Sequence, residues 1–167
     1  MPHAYDEATL CFYAEEAPVY SSSGPGGASR HLAGFLELLE PGAKVLEIGC
    51  GGGRDAEWML AQGFDVEPTD GVAEMAVKAE ARLGRPVRVM RFDELDDVGG
   101  YDAVWANASL LHVPRASLPA VYLSISELAD AYRQSGGWRI LSVVEYEGGG
   151  YDEATGPWVA ITASAPT

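Results

Sequence analysis

The chain has few cationic residues for its size. Of its 167 residues, 11 are Lys or Arg and 25 are Asp or Glu, which gives a formal net charge of −14. Because proteins bind polyanions by neutralising phosphates with clustered cations, this balance argues against nucleic acid as substrate or partner. The chain also lacks a basic amphipathic stretch of the kind that lies on membrane surfaces.

Cysteines and long apolar runs are scarce as well. Cys11 and Cys50 are the two cysteines, which is too few for the disulfide framework of a small secreted protein. The sequence has no hydrophobic run long enough to span a bilayer and no signal-peptide pattern at its N-terminus, so we expect no membrane partner and a cytoplasmic location. No group of His and Cys has the spacing of metal ligands, and no metal site is predicted.

Glycine, in contrast, is concentrated in one informative place. The apolar strand Val45–Ile48 is followed at once by Gly49-Cys50-Gly51-Gly52-Gly53, and a helix is predicted over 55–62. Glycines have no Cβ, so the backbone can turn sharply here and come close to a ligand. The N-terminal amides of the helix would point at whatever lies over the turn. A strand, a glycine turn and a helix in this order indicate a nucleotide-type binding site.

The residues around the turn narrow the choice of ligand. A phosphate-binding loop would end in Gly-Lys-Ser/Thr, which is absent, and the dinucleotide pattern would need glycine where Arg54 stands. Glu47 precedes the first glycine by two residues and fits poorly beside a pyrophosphate. A carboxylate there fits a ligand with a cationic amino group and no phosphate, such as the amino-acid end of S-adenosylmethionine.

The segments that follow add a second carboxylate at a strand end. A predicted strand over 64–70 ends at Asp70, where an acid can accept hydrogen bonds from both ribose hydroxyls, as it does in dinucleotide-binding folds. A helix is predicted over 72–83 with a buried apolar stripe. Further strands are predicted over 87–92, ending at Asp93, and over 101–107, which is apolar as buried parallel strands are.

With these motifs in order, the chain resembles the class I S-adenosylmethionine-dependent methyltransferases of the small-molecule type. The resemblance covers about residues 35–121 and rests on VLEIGCGGGRDA, the strand ending at Asp70, RFDEL and YDAVWANASLLHVPR. It implies S-adenosyl-L-methionine as cofactor, a small-molecule acceptor, and methyl transfer as the activity. It implies that the cofactor is bound by Glu47, Gly49, Cys50, Gly51, Gly53, Asp70, Gly71, Met75, Phe92, Asp93, Asn107 and Ala108.

The resemblance also implies a fold and its division along the chain. We expect an α/β fold, a Rossmann-like doubly wound and mostly parallel sheet in three αβα layers, with an antiparallel C-terminal strand pair and one strand missing. A single domain would comprise a helical lid over 1–40, a cofactor-binding half over 41–121, and a C-terminal helix and strand pair over 122–167. In the lid, helices are predicted over 5–19 and 28–40. Cofactor contacts are expected there from Tyr13, Tyr20 and Arg30.

The C-terminal third departs from the family pattern. In relatives, the fourth strand is followed by a helix and a fifth strand, a unit of roughly 30 residues or more. That unit is missing from this chain, and the gap falls between Val121 and Tyr122. A capping box at Ser124 and Glu127 instead begins a different helix, which ends at Gly136. Strands are predicted over 138–146 and 158–163, joined by a glycine-rich loop over 147–157. Without that strand, either the final strand pairs directly with the fourth or a sheet edge is left exposed. An exposed edge invites pairing with another chain, so in that case a homodimer or a swapped sheet is expected.

The catalytic candidate is His112, just past the fourth strand, whose ordinary pKa of about 6.5 suits proton removal from an acceptor at neutral pH. Three functions stay open at this point. The chain is an active small-molecule methyltransferase, or it binds S-adenosylmethionine or S-adenosylhomocysteine with weak or no catalysis because its C-terminal half is short. The third is a nucleotide-dependent oxidoreductase, which Glu47 and Arg54 disfavour.

Overall fold

The computed structural model of the chain describes residues 5–22, 27–95, 100–114, 116–117, 139–149 and 155–164. Its helices and strands are α1 (Glu7–Tyr20), α2 (Leu32–Leu36), β1 (Lys44–Ile48), α3 (Arg54–Ala61), β2 (Asp65–Asp70), α4 (Ala73–Leu83), β3 (Arg88–Val89), β4 (Ala103–Trp105), β5 (Arg139–Gly149) and β6 (Thr155–Ser164). Within the described ranges, no helix is long and apolar enough to cross a membrane.

Four strands form a parallel sheet in the order β3-β2-β1-β4. In the register of β1, Glu47 lies opposite Pro68 of β2 on one side and opposite Trp105 of β4 on the other. Because the strands are parallel, their carboxyl ends meet at one edge of the sheet, and in such folds ligands bind outside that edge. The Rossmann-like fold expected from the sequence is confirmed.

The core lies between this sheet and the helices that follow its strands. Val45, Val66 and Ala103 are fully buried on one face of the sheet, as expected for apolar side chains at alternate strand positions. They contact buried side chains of α2 and α3, namely Leu32, Phe35, Leu36, Ala56 and Met59. This packing fixes α3 directly behind the glycine turn.

Helix α1 begins at a strong N-cap and lies on the rest of the molecule through one face. The Asp6 carboxylate accepts a hydrogen bond of 2.8 Å from Thr9 N, which satisfies a free amide of the first turn. Ala17 is buried against Val72 and Met75 at the start of α4. The helix predicted over 5–19 is therefore confirmed, within two residues at its start and one at its end.

The second predicted helix, over 28–40, is wrong for most of its length, because only α2 is helical there. Ser29 N donates a hydrogen bond to Asp55 Oδ1 at 2.7 Å, which holds the backbone before α2 in a turn. After α2, Leu38 N and Leu39 N bond to carbonyls three residues back, so the chain tightens into turns. The hydrogen bond from Ser29 to Asp55 and the turns after α2 therefore limit the helix to α2, although the apolar residues of this segment have helical spacing.

The third strand is also shorter than predicted. The prediction ran over 87–92, whereas β3 spans two residues and Phe92 opens a short 3₁₀ turn to Glu94. The cause is local: Arg91 N donates to Glu94 Oε2 at 2.8 Å, and the Arg91 guanidinium donates to Glu94 Oε1 at 2.6 Å. These bonds turn the chain away from the sheet and direct Phe92 toward the carboxyl edge.

Strands β5 and β6 form a separate antiparallel sheet, which confirms the predicted C-terminal pair. The predicted loop over 147–157 is too long, since β5 continues to Gly149 and β6 begins at Thr155. The helices predicted after the fourth strand lie outside the described residues. Within the part that the structure describes, β1 is the only strand paired with β4, so the parallel sheet is one strand short on that side.

Candidate functional site

The glycine turn after β1 is held to the neighbouring strand by its backbone. Gly49, Gly51 and Gly53 have φ of +75°, +56° and +78°, a conformation that side chains with a Cβ rarely adopt. Gly49 N and Cys50 N both donate to Thr69 O, at 2.9 and 2.8 Å. The turn therefore has a fixed position at the carboxyl edge, above the junction of β1 and β2.

The end of β4 closes against the same turn. A Cβ built on Gly49 would lie 2.4 Å from Ser109 Cβ, closer than two such atoms can approach. Ser109 is itself fixed, since its Oγ donates to Ile48 O at 2.8 Å. Beside it, Ala108 has φ of +54°, the one positive value at a non-glycine residue in the described ranges. Backbone strain of this kind concentrates at functional sites.

Asp70 lies at the end of β2 and braces the turn from the other side. Its Oδ2 accepts from Gly51 N at 2.8 Å and its Oδ1 from Val72 N at 2.9 Å. Burial, with 7% of the residue exposed, raises the pKa of Asp70 to about 6, and the two amide hydrogen bonds oppose that rise. Each carboxylate oxygen keeps a further lone pair, so Asp70 can still accept hydrogen bonds from a ligand.

Glu47 is a second buried acid, beneath the turn and only 3% exposed. Its Oε2 has no hydrogen-bond partner among the described residues. Burial raises its pKa well above the usual range, and the charges of Asp55 and Asp70 add to the effect. An unpartnered buried carboxyl is costly, so each such group calls for an explanation. A cationic ligand group beside Glu47 would supply one.

A cleft that is partly open to solvent lies over the glycine turn and beneath α1. Ten residues predicted from the sequence to form the site line this cleft: Tyr13, Tyr20, Gly49, Gly51, Asp70, Gly71, Met75, Phe92, Ala108 and His112.

Aromatic side chains from the lid region meet His112 at one side of the cleft. The Tyr13 hydroxyl lies 3.1 Å from His112 Nε2, with the donor set by the histidine tautomer, and the Tyr20 ring packs edge-on against Tyr13 at 5.1 Å. Burial lowers the pKa of His112, so its imidazole is neutral at pH 7. The cleft thus contains a neutral base that contacts a phenol.

Two arginines hold the ends of the helix that covers the cleft. The Arg91 guanidinium lies 4.7 Å from the centre of the Tyr5 ring, just before α1. At the other end, Arg82 donates from Nε to Gly52 O at 2.7 Å and from a terminal nitrogen to Ser21 O at 3.4 Å. Arg82 therefore joins the glycine turn to the end of α1.

Six predicted site residues do not line the cleft. Glu47 and Cys50 are buried beneath it, and burial raises the pKa of the Cys50 thiol, which therefore stays protonated. Gly53 begins α3, where an added Cβ would lie 3.1 Å from Ala79 Cβ. The other three lie elsewhere. Asp93 pairs with Arg91, its Oδ1 lying 3.7 Å from Arg91 Nε. Asn107 is hydrogen-bonded to Ser29, and Arg30 is exposed.

Sequence reasoning missed four residues that line the cleft, namely Thr9, Leu10, Val72 and Ser109. The first two lie one helical turn before Tyr13, so helical periodicity could have indicated them once Tyr13 was chosen. Ser109 gave no signal, because its role depends on its approach to Gly49. Within the described residues, no three His, Cys, Asp or Glu side chains are grouped to hold a metal ion.

Comparisons with known proteins agree with this geometry. A family model described as a methyltransferase domain matches residues 22–160. The chain is 32% identical over 123 residues to a ubiquinone biosynthesis O-methyltransferase of Bordetella avium, covering 69% of this chain and 46% of that protein. It is 36% identical over 81 residues to the protein of the same name from Xanthomonas campestris, covering 44% of this chain and 34% of that protein. The chain thus spans less than half the length of these relatives.

Solved structures share the fold at lower sequence identity. Magnesium protoporphyrin IX methyltransferase of Synechocystis PCC 6803, crystallised with S-adenosylhomocysteine, superimposes with a TM-score of 0.63 and 13% identity, over 96% of this chain and all of that one. TehB of Haemophilus influenzae gives a TM-score of 0.62 and 14% identity, over 83% and 62% of the two chains.

Proposed function

The chain belongs to the class I S-adenosylmethionine-dependent methyltransferases, and on that premise we propose that it transfers a methyl group to a small-molecule acceptor. One observation carries the proposal: two buried acids, Glu47 and Asp70, flank a glycine turn beneath a cleft. A pyrophosphate would find no favourable partner in Glu47. A ligand with a cationic amino group and a free ribose is attracted to both.

Residues that line the cleft, together with Glu47 beneath it, support S-adenosylmethionine as the ligand. Glu47 Oε2, buried and without a partner among the described residues, suits an ammonium group. Asp70 has lone pairs for the ribose hydroxyls. Met75 and Phe92 offer apolar faces to the adenine, and Tyr13 and Tyr20 exclude water from above. We also propose that Asp93 and Asn107 lie at the two ends of this ligand.

When bound, the cofactor supplies a methyl group activated by attachment to a sulfonium. The chain contributes position and electrostatics, which are the main requirements of an in-line displacement. Helix α1 covers the cleft and limits the access of water, because its ends are held by Arg82 and Arg91. The carboxylate of Asp70, ionised at pH 7, attracts the cationic cofactor and so favours its binding.

We assign His112 as the general base and a hydroxyl oxygen as the atom it deprotonates. The neutral imidazole is the form that accepts a proton. The phenol hydroxyl of Tyr13 already lies at His112 Nε2, so a hydroxyl can reach this atom. The curated relatives are named O-methyltransferases, which agrees with an oxygen acceptor. In His112→Gln, the acid limb of the pH profile of kcat/KM should disappear, and an unchanged limb would refute the assignment.

Three broader expectations stay proposals. The three-part division of a single domain and the cytoplasmic location rest on the sequence alone, and limited proteolysis and cell fractionation test them.

A homodimer through the edge of β4 is supported by the single strand partner that β4 has in the described ranges. Sedimentation of the purified chain at micromolar concentration should give the dimer mass, and a monomer would contradict it.

The test of the proposed function is calorimetric titration of the purified chain with S-adenosylhomocysteine and, separately, with NAD. We expect micromolar affinity for the first and none measurable for the second, because NAD has no ammonium group for Glu47 and would bring its pyrophosphate over that buried acid. Binding of NAD alone would overturn the proposal in favour of a dinucleotide site. Methyl transfer is then assayed with radiolabelled S-adenosylmethionine and a panel of phenols and aliphatic alcohols.

The raised pKa of Asp70 predicts pH-dependent binding. Ribose hydroxyls donate to the carboxylate, so only the ionised form binds well, and that form is lost as the pH falls through about 6. From pH 7 to pH 5 the affinity for 5′-methylthioadenosine, which lacks the amino-acid part and does not reach Glu47, should fall by about tenfold. Asp70→Asn should bind weakly and equally at both pH values. A flat wild-type profile would exclude this role of Asp70.

A further inference from the structure

A chain of three hydrogen bonds connects helix α3 to the end of β4 through the segment before α2. Asp55, 8% exposed at the start of α3, accepts from Ser29 N at 2.7 Å and from Trp105 Nε1 at 2.9 Å. Ser29 Oγ in turn accepts from Asn107 Nδ2 at 2.9 Å. The two oxygens of the buried Asp55 carboxylate thus join Ser29 and Trp105, which lie 26 and 50 residues from Asp55 in the sequence.

This network lies next to residues that line the cleft, without lining it itself. The sheet order is β3-β2-β1-β4, and Asp70 ends β2, whereas Trp105 lies opposite Glu47 on β4. Asn107 follows Trp105 by two residues, next to Ala108 and Ser109, which line the cleft. A ligand whose ribose met Asp70 and whose ammonium group met Glu47 would extend from β2 across β1 toward Asn107, after β4.

We propose that Asp55 is a positioning residue for the amino-acid end of the cofactor. The inference rests on the proposed function and deepens it. Through Ser29, Asp55 fixes the side chain of Asn107, two residues after β4, and the backbone next to Arg30. Asp55 does not line the cleft, so it acts on the ligand through its two donors.

The test compares two ligands that differ in the amino-acid part alone. S-Adenosylhomocysteine and 5′-methylthioadenosine share the adenosine and the sulfur, but the second has a methyl group in place of the amino-acid chain. In Asp55→Asn, one amide nitrogen must face a donor, so the network breaks. We expect the affinity for S-adenosylhomocysteine to fall by at least about tenfold, and that for 5′-methylthioadenosine to change by less than about twofold.

A purely structural role of Asp55 would weaken both ligands equally, and that outcome overturns the proposal. Because Asp55→Asn leaves buried donors unpaired and could prevent folding, Ser29→Ala is the second variant. It removes the Oγ that holds Asn107 but keeps the backbone donor to Asp55. A selective loss of S-adenosylhomocysteine binding supports the network, whereas unchanged binding of both ligands refutes it.

Asp65→Asn is the matched control, since Asp65 is an exposed acid at the opposite end of β2. Its two affinities should equal those of the wild type. The failure of the proposed function looks different, because then the wild type itself would not bind S-adenosylhomocysteine. Selective loss in the two network variants but not in Asp65→Asn is the result that establishes the inference.

Discussion

In Asp70→Ala, the affinity for S-adenosylhomocysteine should fall roughly 10- to 150-fold, the equivalent of one charge-assisted hydrogen bond of about 1.5–3 kcal/mol. The wild-type carboxylate has lone pairs available to ribose while it accepts from Gly51 N and Val72 N. Its removal takes away the ribose acceptor and also releases the glycine turn. Calorimetric titration measures the loss directly.

Two further variants separate these contributions. Asp70→Asn keeps one acceptor oxygen for a backbone amide but loses the charge, so its affinity should lie between those of wild type and Asp70→Ala. Asp65→Ala, at the exposed start of the same strand, should bind like the wild type. If Asp70→Ala is folded by circular dichroism and binds S-adenosylhomocysteine with wild-type affinity, the assignment of Asp70 to the ribose is wrong.

Gly49→Ala should have the largest effect on stability of any change at the site. Alanine at φ of +75° costs about 1–2 kcal/mol, and its Cβ would overlap Ser109 Cβ, at 2.4 Å. Relief requires movement of the end of β4 away from the turn, an overpacking cost of about 1–3 kcal/mol. We expect the free energy of unfolding in urea to fall by about 2–5 kcal/mol.

Gly63→Ala provides the matched control, because Gly63 has φ of +89° and an added Cβ would meet nothing within 4 Å. It should lose only the backbone contribution, about 1–2 kcal/mol. The overlap itself is tested by Gly49→Ala in a Ser109→Gly background, where the Cβ atom that causes the clash is absent. Equal losses for Gly49→Ala and Gly63→Ala would mean that the contact between β4 and the turn is not tight.

These two predictions concern different properties of one edge of the sheet. Asp70 determines how well a ligand is bound, whereas Gly49 determines whether β1 and β4 can close around it. A variant that unfolds and a variant that does not bind are distinguished by measuring unfolding and titration on the same sample. Because Asp70 also bonds to the turn, we expect Asp70→Ala to lose some stability too, but less than Gly49→Ala does.

The cofactor half of the fold was predictable because its signals are local. An apolar strand, a turn that needs positive φ, and an amphipathic helix are each encoded within about a dozen residues, and their order implies parallel strands. The bounds of α3, α4 and β2 therefore match the prediction within one residue. The prediction failed over 28–40, where the apolar spacing is helical but Ser29 N bonds to Asp55.

The sequence by itself determined the strand–turn–helix order, the acids Glu47 in β1 and Asp70 at the end of β2, and the family. Only the tertiary structure decided which side chains meet over the turn. Tyr13 and His112 are 99 residues apart in the chain, and Asp55 and Trp105 are 50 apart. Local patterns carry no information about such pairs, because the contacts exist only once the sheet has brought its carboxyl ends to one edge and α1 has packed over them.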